Sequence, residues 1–272
     1  MMEVQDLGEG RFSLRQTFDR PRIYLDHWAL RHLSQTPAVQ DRFIAALNSA
    51  AGTWLISAAN LIEFCSVEDR RHAVDAEALL TRAFPRVQVA DTMAHLWQGE
   101  NWVLTDLLRR TAIARGQLNA RGFFQDTIDH REDLLPRFSD LKAHVARATQ
   151  RVTADPAMQV AAKKFRPSRG MTLRTALENE LMRNFYLDRR RGEFNEHDVL
   201  DFIHASSAIP VCDFVLLDAG WCHLARTATQ RLSKAGITAR MAECFNSREL
   251  DQFLTRLEAA KIGVETGEAE GL

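Results

Sequence analysis

The feature that most constrains the fold of this chain is a set of four carboxylates that lie beside short apolar runs. These acids are Asp26, Glu63, Asp201 and Asp218. Asp26 directly follows the strand-like residues 22–25, and Asp218 directly follows residues 214–217. In a parallel α/β sheet the carboxyl ends of the strands meet at one edge, where ligands bind. The pattern therefore predicts that acids far apart in sequence converge at a sheet edge.

Composition limits the class of protein. The chain has 272 residues, of which 46% are hydrophobic and 26% charged, as in ordinary globular proteins. A net charge of −1 excludes a generally basic nucleic-acid-binding surface, so any such contact must come from a local patch. The four cysteines have no zinc-finger spacing, which favours reduced thiols. With no signal peptide or membrane-spanning segment visible, we expect a soluble, cytoplasmic protein without membrane contact.

The pattern of elements predicts a divided α/β core. The predicted parts are an N-terminal, loosely held lead-in (1–20), a first core segment (21–91), a helical insertion (92–194), a second core segment (195–262) and a flexible tail (263–272).

Alternating apolar runs and helix-period patterns place the individual elements. The predicted strands are 22–26, 53–57, 86–89, 213–217 and 238–242. Outside the insertion, one predicted helix starts at 28–34, and a second is capped by Ser57 and runs through residues 60–64. The others are 70–84, 196–208, 222–235 and about 247–260. Pro136, Pro156 and Pro167 are expected to divide the insertion into four or five helices.

The helix predicted at 196–208 has the densest group of polar side chains. His197, Asp201 and His204 recur at i, i+4 and i+7 and therefore share one face, and Asp198 lies beside that face. Apolar residues occupy much of the remainder, so this polar stripe is expected to face a cleft. A solvated face stays open as the alternative for His197 and Asp198.

Each acid also has a simpler structural interpretation. Asp26 has the position of a helix N-cap, and Glu63 that of a half-exposed helix residue paired with an arginine. Asp213 precedes the run that Asp218 ends. Of these two we expect Asp218 to belong to the site, because it lies at the carboxyl end, and Asp213 to cap or brace the site from the entry side.

Clustered carboxylates repel one another and favour a divalent cation, which in turn binds phosphate. The four segments, in this order, resemble the PIN-domain nuclease family. The matching pieces are Ile23–Asp26, Ile56–Glu63, Asp201–Ala208 and Phe214–Asp218, and Glu243–Leu250 resembles the final strand and helix of the family. The resemblance covers about residues 20–90 and 195–260.

The resemblance implies a three-layer PIN-like fold with a central, mainly parallel sheet and a large helical insertion. It also implies an endoribonuclease dependent on Mg²⁺ or Mn²⁺, with Asp26 and Asp218 as main metal ligands and Asp201 and Glu63 binding directly or through water. His204 would contact phosphate, orient Asp201 or be a satisfied helix histidine. RNA is the expected substrate; an antitoxin protein and a second copy of the chain are candidate partners.

Two features depart from the family pattern. Many members follow the first aspartate with Thr or Ser and then Asn, whereas this chain has His27 and Trp28. The chain is also longer than a minimal PIN domain by roughly the length of the insertion.

Candidate nucleic-acid-binding residues come from a cation-rich stretch in the insertion, for which a solvated face is the alternative. These residues are Lys163, Lys164, Arg189, Arg190 and Arg191. Four aromatic residues, expected in the core, are candidates for base stacking: Trp97, Trp102, Phe123 and Phe124.

Other function classes fit less well. A haloacid-dehalogenase-type phosphatase needs a second acid two residues after Asp26, where this chain has Trp28. A nucleotide-binding Rossmann domain needs a glycine-rich turn after the first strand, and none is present. The alternative that stays open is a catalytically weak PIN-like scaffold that binds RNA or another protein.

Overall fold

The computed structural model describes residues 2–8, 11–16, 18–57, 59–60, 63, 69–89, 131–188 and 194–260. At the N-terminus, strands β1 (Met2–Gly8) and β2 (Arg11–Gln16) form an antiparallel hairpin. This segment was expected to be a loosely held lead-in. Its two strands pair with each other through their backbones, and whether the segment is loosely held stays a prediction.

The five remaining described strands form one parallel sheet. They are β3 (Arg22–Leu25), β4 (Thr53–Ile56), β5 (Val87–Val89), β6 (Phe214–Leu216) and β7 (Glu243–Phe245). Their order is β5-β4-β3-β6-β7, so the chain builds outward from β3 in one direction and later returns to extend the other side. This places the reversal of strand order between β3 and β6, the position where open α/β sheets bind ligands.

Helices cover both faces of the sheet. They are α1 (His27–Gln35), α2 (Pro37–Ser49), α3 (Arg70–Ala83), α4 (Arg131–Ala154), α5 (Pro156–Lys164), α6 (Leu173–Leu187), α7 (Glu196–Ala208), α8 (Ala219–Lys234) and α9 (Leu250–Glu258). A short 3₁₀ helix, Ser247–Glu249, precedes α9.

Alternation along the strands assigns the two cores. Ile23 and Leu25 face a core formed with α1, α2, α3 and α9, whereas Tyr24 faces a second core formed with α4, α6, α7 and α8. Successive strand side chains point to opposite faces, so one apolar strand serves both cores. The predicted α/β class with a parallel central sheet is therefore confirmed. Helix α6, from the predicted insertion, contributes to the second core.

Most predicted elements agree with the structure, but the last strand does not. The apolar pattern predicted it at 238–242, whereas it lies at Glu243–Phe245, within the segment Glu243–Leu250 that the family resemblance indicated, and pairs there with Phe214–Leu216. Within the insertion, Pro136 lies inside α4 and does not separate two helices. Pro156 begins α5, where the missing N–H of proline needs no partner.

None of the described helices is both long enough and apolar enough to cross a membrane.

Docking of α9 onto the sheet provides a test of the first core. Phe253 is fully buried, and its ring lies 5.7 Å from that of Phe245 and 6.3 Å from that of Phe43. Phe253→Ala should lower the free energy of unfolding by about 3–5 kcal/mol, because it leaves a cavity. The neighbouring exposed Gln252→Ala is the control in denaturant unfolding. Equal, small effects of both substitutions would contradict this packing.

Candidate functional site

Two of the predicted acids lie side by side at the carboxyl edge of the sheet. Leu25 and Leu216, the last residues of β3 and β6, are in register. The backbone N–H of Asp26 continues this pairing by donating to the Leu216 carbonyl oxygen at 3.1 Å. Asp218 follows β6 after one further residue. The strand pairing thus fixes Asp26 and Asp218 at the position where the strand order reverses.

Both aspartates also cap the helices that follow them. The Ala29 N–H donates to Asp26 Oδ1 at 3.2 Å, and the Trp221 N–H donates to Asp218 Oδ1 at 2.8 Å. The N-cap interpretation of Asp26 is therefore correct, and Asp218 has the same role. In both residues the cap bond uses one carboxylate oxygen, and the second oxygen, Oδ2, takes no part in it. Capping and a role at the sheet edge are thus compatible.

Asp201 joins this pair from α7. It lies within side-chain hydrogen-bonding reach of Asp218. Burial, followed by the negative charge of Asp218, raises the pKa of Asp201 to about 8. Two carboxyl groups within hydrogen-bonding reach of each other favour sharing a proton, because low-polarity surroundings disfavour two adjacent negative charges.

The electrostatic surroundings of Asp26 connect all four acids. The side chain is buried, with 4% of the residue exposed. Burial raises the pKa of Asp26 well above its ordinary value, and the negative charges of Glu63, Asp201 and Asp218 raise it further. The bond from Ala29 acts in the opposite direction but is outweighed. The four predicted acids therefore share one region of negative potential.

Among the described residues Glu63 pairs with a histidine, whereas the sequence allowed an arginine. His204 Nε2 lies 2.7 Å from Glu63 Oε2. The other ring nitrogen, Nδ1, lies 2.5 Å from the Tyr24 hydroxyl, so both nitrogens of this buried imidazole are bonded. The interpretation of His204 as a satisfied histidine is correct, but its hydrogen bond goes to Glu63 and not to Asp201.

The charge of His204 follows from these neighbours. Burial lowers its pKa, but the negative charge and hydrogen bond of Glu63, together with Asp201 and Asp218, outweigh burial and raise it overall. His27 differs, because burial lowers its pKa more than the charge of Glu63 raises it. Trp28, the second residue that departs from the family pattern, packs partly buried against the first core.

Sequence reasoning missed the buried polar groups behind the acids. The Tyr24 hydroxyl lies 2.6 Å from Ser57 Oγ. Asn60 Oδ1 accepts from the Ser57 N–H at 2.9 Å, and Asn60 Nδ2 donates to the Leu25 carbonyl oxygen at 2.9 Å. Asn60 thus ties the end of β4 to the end of β3. A phenol in an otherwise aliphatic strand was the available signal, because a buried hydroxyl needs a partner.

Two supporting candidates have hydrogen bonds or ion pairs with residues other than the four acids. Asp198 completes a capping box at the start of α7 by accepting from the Asn195 N–H at 3.0 Å. Asp213 precedes β6, at the opposite end from Asp218, and its carboxylate accepts from the Arg22 N–H at 2.7 Å. It also forms an ion pair of 2.9 Å with Arg240. Asp213 therefore stabilises the amino end of the sheet, which is the entry side, and a role in supporting the acidic site from there stays a prediction.

The predicted nucleic-acid contacts are only partly described. Lys163 and Lys164 are exposed in the last turn of α5. Arg189, Arg190 and Arg191 lie outside the described residues, as do the four aromatic candidates Trp97, Trp102, Phe123 and Phe124. A role of these residues in binding stays a prediction.

The donor set fits a hard divalent cation, although the ligand arrangement is not complete. Carboxylate oxygens are the ligands that Mg²⁺ and Mn²⁺ prefer. Burial and mutual repulsion raise the pKa values of Asp26 and Asp201, so added positive charge would stabilise both carboxylates. Within the described part of the chain, however, no three His, Cys, Asp or Glu side chains converge closely enough to hold an ion as they stand. Binding would therefore require these side chains to turn toward one another.

Comparison with known proteins gives no further assignment: no family model, curated protein or solved structure matches the chain.

If the acids are kept for function, they should lower stability. In EDTA, Asp201→Asn should raise the free energy of unfolding by about 1 kcal/mol, because it removes a carboxylate that the fold disfavours. The gain should be larger at pH 8 than at pH 5. A carboxyl whose folded pKa is raised to about 8 destabilises the fold progressively as the pH rises from about 4.

The matched control for this stability measurement is Asp69→Asn. Asp69 caps α3, and hydrogen bonds from Arg71 lower its pKa to about 2. Its charged form is therefore favoured by the fold, and the same substitution should lower stability slightly. A loss of stability for Asp201→Asn at pH 8 would contradict the repulsion inferred among the acids.

Proposed function

We propose that this chain is a PIN-like, divalent-metal-dependent endoribonuclease in which Asp26, Glu63, Asp201 and Asp218 form the active site. The observation that carries the proposal is the joint position of Asp26 and Asp218 at the reversal of strand order, with Asp201 within reach of Asp218. Buried, mutually repelling carboxylates cost stability, and such groups cluster at functional sites. The family resemblance in the sequence, which assigns these same four acids to an acidic quartet, also supports the proposal.

The proposed chemistry assigns a distinct role to the chain's own residues. Asp26 and Asp218 offer their second carboxylate oxygens at the sheet edge, and Asp201 adds a carboxylate from α7. Glu63, whose side chain is partly exposed, is held by the buried His204. When bound, Mg²⁺ or Mn²⁺ would supply stabilisation of negative charge on the scissile phosphate and activation of water. RNA is the proposed substrate, and an antitoxin partner stays a prediction of the resemblance.

A second function is favoured by one observation. Because no three described side chains of the relevant types converge on an ion site, the chain also fits a PIN-like scaffold that binds RNA or a protein without cleaving. The acids argue against this alternative, since a scaffold gains nothing from retaining carboxylates whose charged forms the fold disfavours. Metal-dependent cleavage separates the two functions.

The test is cleavage of fluorophore-labelled single-stranded RNA and of the matching DNA by the purified full chain. Added Mn²⁺ or Mg²⁺ should produce RNA fragments, and EDTA should prevent this. Asp26→Asn and Asp201→Asn should each lower the cleavage rate by about 100-fold or more, because each removes a charged ligand that acts on the developing charge.

Asp198→Asn is the control, since it changes the same residue type one helical turn from Asp201 and outside the acidic site. It should keep its cleavage rate within about threefold, whatever small effect the cap has on stability. RNA binding without cleavage in either metal would favour the scaffold. Wild-type rates in a folded Asp26→Asn variant would contradict the assignment of the site.

A further inference from the structure

The side chains behind Glu63 form a continuous hydrogen-bonded chain that the proposed reaction does not use directly. It runs from Asn60 through Ser57, Tyr24 and His204 to Glu63. Each link is short apart from Ser57 Oγ to Asn60 Oδ1, which measures 3.4 Å. Asn60, Ser57, Tyr24 and His204 each have at most 2% of their surface exposed. Such a chain connects the interior of the sheet to the acidic edge.

The position of Glu63 differs from that of the groups behind it. Its side chain is 16% exposed, compared with 1% for that of His204. Its charge also contributes to the raised pKa values of both Asp26 and Asp201. Glu63 therefore stands between the buried chain and the acids. Its Oε2 is held by His204, and its Oε1 is not used in that bond.

Asn60, at the end of the hydrogen-bonded chain opposite Glu63, is held in a fixed orientation. Asn60 can present its amide in only one orientation, because Nδ2 donates to the Leu25 carbonyl oxygen while Oδ1 accepts from the Ser57 N–H. Tyr24 lies on β3, the central strand, and its ring contacts the imidazole with the centroids 5.6 Å apart. Both nitrogens of His204 are bonded, so the imidazole cannot rotate without losing two hydrogen bonds.

We propose that His204 and Tyr24 are positioning residues, which hold the Glu63 carboxylate in the orientation needed to bind a divalent cation at the carboxyl edge of the sheet. This inference rests on the proposed function. Glutamate has several rotatable bonds, and fixing its carboxylate before binding removes part of the entropy cost of ordering it. Partners that orient metal ligands in this way change metal affinity by about 10–100-fold when they are lost.

His204 is on the same helix as Asp201, which relates the positions of two of the acids. Asp201 and His204 lie three residues apart on α7, so the helix that brings Asp201 to Asp218 also brings the imidazole to Glu63. The two sides of the acidic site are therefore connected through α7. The spacing of residues 201–204 sets the position of Asp201 relative to Glu63.

The experiment measures Mn²⁺ affinity by isothermal titration calorimetry on the full chain without RNA. His204→Leu should weaken Mn²⁺ binding by about 10–100-fold. His204→Gln should recover much of this loss, because its amide N–H can donate to Glu63. Tyr24→Phe keeps the ring but removes the hydroxyl and should weaken binding by about 2–10-fold.

Matched controls exist for both residue types. His197→Gln changes an exposed histidine on the same helix, and Tyr186→Phe changes the other tyrosine of the chain. Neither should alter Mn²⁺ affinity. Circular dichroism and thermal unfolding in EDTA establish that each variant is folded before titration. If His204→Leu does not fold, Tyr24→Phe and His204→Gln decide the question.

The outcomes separate this inference from the proposed function. A wild-type chain that binds no Mn²⁺ contradicts both. Wild-type binding that is lost in Asp26→Asn supports the proposed site. Unchanged affinity in folded His204 and Tyr24 variants would then overturn the positioning role alone. A loss in Tyr24→Phe and an equal loss in Tyr186→Phe would also overturn it, because the effect would not depend on the buried chain.

Discussion

The pairing of β3 with β6 is the constraint on which the rest of the site depends. Parallel strands have all their carboxyl ends at one edge, and the Asp26 N–H extends the pairing by bonding to the Leu216 carbonyl oxygen at 3.1 Å. The strand order reverses at this pair, so the helices that follow β3 and β6 cover opposite faces of the sheet. The edge between them is left to the side chains of Asp26 and Asp218. The site is thus a consequence of topology as well as of sequence.

The charged forms of the acids at this edge lower the stability of the fold, and this cost favours a functional role for them. Folding favours the neutral forms of Asp26 and Asp201, since burial and like charge both raise their pKa values. Elsewhere the chain handles buried charge differently. Asp213, at the opposite edge, pairs with Arg22 and Arg240 and therefore stabilises the structure. The contrast between the two edges favours a functional interpretation of the unbalanced one.

Local pattern was sufficient to predict much of the fold, whereas the membership of a functional site stays a prediction. Apolar runs located β3, β4 and β6. Helical periodicity predicted α7, on which His204 is buried while His197 is exposed. Partners could not be predicted this way. The bond between His204 and Glu63 joins residues 141 positions apart and depends on how α7 packs on the sheet. The arginine partners of Asp213, including Arg240, likewise could not be predicted, because they depend on how distant segments pack.

The central claim is that these carboxylates bind a divalent cation at the end of β3 and β6. It is tested most directly by a crystal structure of the full chain soaked in Mn²⁺, with anomalous difference maps recorded near the manganese absorption edge. The account predicts a peak within about 2.0–2.6 Å of oxygens from Asp26 and Asp218, which is lost in Asp26→Asn. The absence of a peak at this edge at saturating Mn²⁺, or peaks only elsewhere on the chain, would contradict the claim.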